Sequence, residues 1–61
     1  MCEFAVLKKG KVVFEDAVYA KSDRGQVTVR DVLGVSETFK NCMIEEVDVR
    51  SEQLVLVSAK K

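Results

Sequence analysis

The chain has no histidine, no proline and no tryptophan, only three glycines and two cysteines, and no net charge, since ten Lys+Arg balance ten Asp+Glu over 61 residues. Each absence excludes something. Without histidine the commonest metal ligand and the commonest general base are both missing. Any metal site must therefore use thiolate, carboxylate or main-chain nitrogen and oxygen. No nucleophile has a partner base and no glycine-rich phosphate loop is present, so the protein is not expected to be an enzyme. Two cysteines allow at most one disulfide, and without histidine they are too few for a zinc site held by one chain. Nucleic-acid binding draws most of its affinity from neutralised phosphates, and a balanced chain lacks the basic surplus that such binding favours. No apolar run approaches the roughly 18 residues of a membrane span, and no basic segment with an apolar core marks a signal peptide. The expected compartment is the cytoplasm, where both thiols stay reduced.

What is abundant is valine, at twelve residues. Branching at Cβ suits a pleated strand better than a helix. Residues 2–7 alternate, with Cys2, Phe4 and Val6 on one face and Glu3, Ala5 and Leu7 on the other. Lys8-Lys9-Gly10-Lys11 reads as a turn, and Val12 to Phe14 as a second strand ending in a bend at Glu15-Asp16. Ala17 to Lys21 is a third strand, Ser22-Asp23-Arg24-Gly25 a hairpin loop, and Gln26 to Val32 a fourth, with Val27 and Val29 opposed to Thr28 and Arg30. Val35 to Lys40, Met43 to Val49 and Leu54 to Val57 complete the set, with a turn at Asn41. Helical spacing of Phe39, Met43, Ile44 and Val47 offers residues 37–47 as a helix instead; Asn41 and the valine-rich flank argue against it. The expectation is one all-β domain over residues 1–61, a small antiparallel β-barrel or sandwich of six to seven short strands. A chain of this size buries only about 60% of the surface exposed when unfolded, so a homodimer is expected.

The groups with chemistry to offer are few. Cys42 sits among apolar neighbours and reads as core, because free cysteine is usually buried. The carboxylates of Glu15-Asp16 and Glu45-Glu46 alternate between faces and read, with Asp48, as solvated. Cys2 can pack as a small hydrophobe beside Phe4 and Val6. Its position also allows chelation. With Met1 retained, the Met1 amine, the Cys2 amide nitrogen and the Cys2 thiolate close two fused chelate rings; with Met1 removed, the Cys2 amine and thiolate close one. Planar nitrogen and thiolate donors suit nickel(II) or copper(II). One chain leaves that square incomplete, and a two-fold axis past Cys2 would complete it.

The chain resembles the CooT-type small nickel-binding proteins associated with carbon monoxide dehydrogenase maturation. The resemblance rests on Met1-Cys2, on Val12 to Phe14 ending in an acidic bend, on Gly25 followed by Val27 and Val29, and on Val47-Asp48-Val49-Arg50-Ser51 before an apolar last strand. Asn41 stands where glycine would be expected. The resemblance implies an all-β homodimeric metallochaperone holding one Ni(II) through Cys2 of each subunit, with terminal main-chain nitrogen at Met1 as companion. Carbon monoxide dehydrogenase or its other maturation proteins would be its partners. The competing reading is a small β-barrel module for RNA or protein with Cys2 as packing. It would use Lys8, Lys9, Lys11, Arg24 and Arg30 for phosphates and Phe14 or Tyr19 for stacking.

Overall fold

The computed structural model describes residues 3–59. Six strands follow one another: β1 (Phe4–Lys8), β2 (Lys11–Asp23), β3 (Gln26–Asp31), β4 (Ser36–Lys40), β5 (Cys42–Asp48) and β6 (Gln53–Ser58). They form a single sheet in the order β4-β3-β2-β1-β6-β5. The all-β expectation holds, and residues 37–47 are strand and corner with no helix among the described residues. The antiparallel barrel or sandwich is corrected in three respects: there is one sheet, it is not closed, and β1 pairs with β6 in parallel. The parallel pair joins the first strand to the last. It carries no local sequence signal, because everything between them is its crossover.

Turn chemistry sets the hairpins. Lys9 and Gly10 have φ of 55° and 76°, and Arg24 and Gly25 have 51° and 79°. Two successive positive φ values are what a two-residue turn needs to match the twist of its strands. The second hairpin is therefore tighter than the four-residue loop expected, and Ser22 and Asp23 remain in β2. The two strands expected on either side of Glu15-Asp16 are likewise one long strand, β2. The bend is real: Phe4 pairs with Ala17 but Val6 with Phe14, leaving an extra residue on β2 where Asp16 has φ 60°. Further irregularities fall at Val13 and Val18. Bulges of this kind bend a strand and increase its twist, and here they let one strand serve β1 with its first half and β3 with its second.

The bending rolls the sheet. Its two edge strands, β4 and β5, are joined by Asn41 alone (φ 59°), so the edges must meet at that corner. There the Cys42 N–H donates to the Gly25 carbonyl at 3.0 Å and the Ala59 N–H to the Asn41 carbonyl at 2.8 Å. The inside of the roll is the core: Val6 from β1, Ala17 from β2, Val27 and Val29 from β3, Cys42 from β5, and Leu54 and Leu56 from β6. Phe4, Phe14, Phe39 and Ile44 pack on its margins. No described polar side chain is buried.

Candidate functional site

Register gives the roll two different ends. Phe4 pairs with Ala17, and Ala17 with Asp31; Ala5 lies beside Gln53, and its N–H donates to the Glu52 carbonyl at 2.9 Å. The start of β1, the β3–β4 loop and the β5–β6 loop therefore share one end. The other end carries the Lys9–Gly10 turn, the Arg24–Gly25 turn and the Asn41 corner. The Asn41 corner pins the roll at its own end, while toward the chain start it gapes. The gap is an apolar groove of about 260 Å³ between β2 and β5, with Phe4, Val18, Ile44 and Val47 among its lining.

Charge is unevenly spread along the same axis, with Asp23 among the cations of one end and Arg50 among the carboxylates of the other. Lys8, Lys9 and Lys11 flank the first turn, Arg24 is in the second, and Lys40 precedes Asn41. Acidic groups gather toward the chain start: Glu3 before β1, Glu15 and Asp16 in the bulge opposite Phe4, Asp31 at the end of β3, and Asp48 and Glu52 at the β5–β6 loop. Two of these are committed to their own loops. Asp31 Oδ1 accepts the N–H groups of Leu33 and Val35, both at 2.9 Å, and Asp48 Oδ1 accepts those of Arg50 and Ser51 at 3.1 and 3.4 Å. Asp48 is thus the anchor of a turn, a role its place in a row of carboxylates does not reveal. Exposed apolar side chains also crowd this end: Val32, Leu33 and Val35 in one loop, Val49 in the other, and Val18 and Val47 beside the groove.

Met1 and Cys2, the residues singled out for metal binding, lie outside the described residues. The neighbouring Phe4 and Val6 do face inward, as the alternation requires. Cys42 is fully buried and reduced. It cannot reach a surface ion without the core opening. Among the described residues no three His, Cys, Asp or Glu side chains are placed to hold a metal.

The residues of the competing reading are scattered. Lys8, Lys9, Lys11 and Arg24 are at the far end from Arg30, whose guanidinium lies 4.3 Å from the Tyr19 ring centroid on the outer face of β2 and β3. Phe14 is partly buried against the core.

On the outer face a second groove, of about 380 Å³, runs along β6. Val55 and Val57 are in its floor, with Lys9 on the β1–β2 side and Glu45 on the β5 side. Sequence reasoning missed it. Lys9 and Glu45 come together only through the parallel β1–β6 pairing, and Glu45 is the extra residue where Ile44 pairs with Leu56 but Glu46 with Val55.

No protein-family model matches this chain, and no curated protein matches it in sequence.

Proposed function

We propose that this protein is a nickel(II)-binding accessory protein that carries one ion between two copies of the chain. The donors are the Cys2 thiolate of each copy and the main-chain nitrogens of Met1 and Cys2. Nitrogen and thiolate together favour nickel(II) or copper(II) over magnesium or calcium. The observation that carries the reading is the character of the end where the chain begins. Acidic side chains raise the local concentration of a divalent cation there, and exposed apolar side chains at the same end suit a protein contact. With Cys42 in the core, Cys2 is the thiol left for surface chemistry. An exposed carrier site of this kind can pass its ion to a recipient. Carbon monoxide dehydrogenase or its other maturation proteins are the recipients that the family resemblance suggests.

The test is a nickel titration read by sulfur-to-metal charge-transfer absorption. Saturation at about one ion per two chains is expected, as a two-fold site requires. Cys2→Ser should abolish the band and Cys42→Ser should keep it. A band that survives Cys2→Ser overturns the assignment.

The Arg30–Tyr19 stack, with Lys21 and Lys40 on the same outer face of β2–β4, favours one second reading. A guanidinium plane is a surface on which an unpaired base can stack. That reading requires salt-sensitive binding of single-stranded RNA by the metal-free protein, lost in Arg30→Ala.

A further inference from the structure

We infer that the outer face of β1, β6 and β5 is where a second copy of this chain docks, about a two-fold axis lying along β6. The groove on this face has a floor of Val55 and Val57, a cation on one wall (Lys9) and an anion on the other (Glu45). A two-fold axis along that floor exchanges the walls. It sets Lys9 of each copy against Glu45 of its partner, so the same ion pair forms twice from one self-complementary patch. A partner with walls of a single sign would meet one of these charges unfavourably.

The surroundings extend the apolar floor. Met43 pairs with Val57 and Leu7 with both Val55 and Val12. Met43, Val57 and Val12 are 46%, 38% and 52% exposed although each lies in a strand. Their strand neighbours Leu56 and Cys42 face the core, so these side chains occupy the outer surface, and the described residues leave them partly open. Two grooves facing each other need a side chain to fill the space between. Met43 stands beside Val57, across β6 from Gly10, and the axis carries it over the partner's Gly10, where nothing lies within 4 Å of the Cβ position. Methionine is unbranched and adapts to irregular space of this kind.

The axis also has a consequence for the chain starts. A rotation about a line parallel to the strands leaves like ends together, so both acidic ends come to the same side and both copies of β1 begin there. The contact itself is made without metal. It deepens the nickel reading by naming the surface that brings two chain starts together, and it rests on that reading only for what the chain starts then do.

The experiment is light scattering on gel-filtered protein in excess chelator, with sedimentation equilibrium for the constants. The wild type is expected to be a dimer. Lys9→Glu and Glu45→Lys each set like charges together twice and should weaken the dimer about tenfold or more. Combining K9E with E45K should restore it, and Met43→Glu should leave a monomer. All three positions are exposed, so each variant should keep the wild-type circular dichroism. A wild type that is monomeric in chelator overturns the contact, as does a dimer indifferent to the single swaps or one that the double swap fails to recover. The metal reading fails separately. Loss of the nickel band with a chelator-stable dimer removes the nickel site alone, whereas a chain that dimerises only with nickel removes this contact alone.

Discussion

The N–H of Cys42 donates to the carbonyl of Gly25 at 3.0 Å, tying the first residue of one edge strand to a turn two strands in from the other edge. The bond exists because Asn41 reverses the chain in a single residue. Its φ of 59° lies in the left-handed region, where Cβ crowds the following carbonyl and most side chains are disfavoured. Asparagine tolerates that region through local hydrogen bonding. The β2 bulges bend the sheet and the Asn41 corner fastens its edges at one end, and the chain-start end gapes because no comparable tie is found there among the described residues.

Changing that angle's tolerance should change stability. Asn41→Gly should be neutral within a few tenths of a kcal/mol, since glycine adopts positive φ without steric cost. Asn41→Val should cost about 1–2 kcal/mol because a branched Cβ is forced into the left-handed region. Urea unfolding followed by circular dichroism measures both. Equal midpoints for the two variants would show that the corner opens without disturbing the core.

Cys42 should behave as an inert core residue. It is fully buried between strands, so Cys42→Ser places a hydroxyl where no partner is provided and should cost about 1–3 kcal/mol. In a Cys2→Ser background the remaining thiol should react with Ellman's reagent only as fast as the domain opens. Rapid labelling of the folded variant would show that Cys42 is reachable and would reopen it as a ligand.

The alternation of Val27 and Val29 against Thr28 and Arg30 was legible because each strand contact there repeats a two-residue period. Asn41 was legible as a turn for the reason given above. What was not legible is long-range. Glu15-Asp16 looks like a break between strands because two acidic residues interrupt the pattern, yet a bulge keeps both sides of β2 in one ladder. The parallel partnership of Val6 with Leu54 depends on closure by the whole chain, and so does the approach of Lys9 to Glu45. At the chain start, Cys2 stood out by residue type and position alone. The gathering of acidic and apolar groups around the start of β1 comes from three loops far apart in sequence.

Asp31 should matter more than an exposed loop carboxylate usually does. One oxygen accepts two main-chain N–H groups, from Leu33 and Val35, and holds a loop whose Leu33 is 84% exposed. Asp31→Ala removes both acceptor contacts and should cost about 1–2 kcal/mol. Asp31→Asn keeps an acceptor oxygen in place and should recover roughly half of the loss. Faster amide exchange at Leu33 and Val35 in the alanine variant would locate the effect in this loop, and unchanged exchange there would separate the stability loss from the turn.

Leu56 offers the sharpest test of how the small core and the second copy share the work. It is 2% exposed at the centre of β6, opposite Ile44 on one side and Lys8 on the other. Truncation of a buried leucine costs about 2–5 kcal/mol. A domain of this length has roughly 3–9 kcal/mol of stability in total. Leu56→Ala should therefore leave a variant near its folding threshold when dilute. Its neighbours Val55 and Val57 point to the opposite, docking face, so the substitution leaves the proposed contact surface intact. Binding a second folded copy stabilises the folded chain by mass action, and the urea midpoint of Leu56→Ala should rise with protein concentration in chelator. Adding Met43→Glu to Leu56→Ala should abolish that rise. A midpoint independent of concentration in Leu56→Ala itself would mean that this core folds as a monomer and takes nothing from a partner.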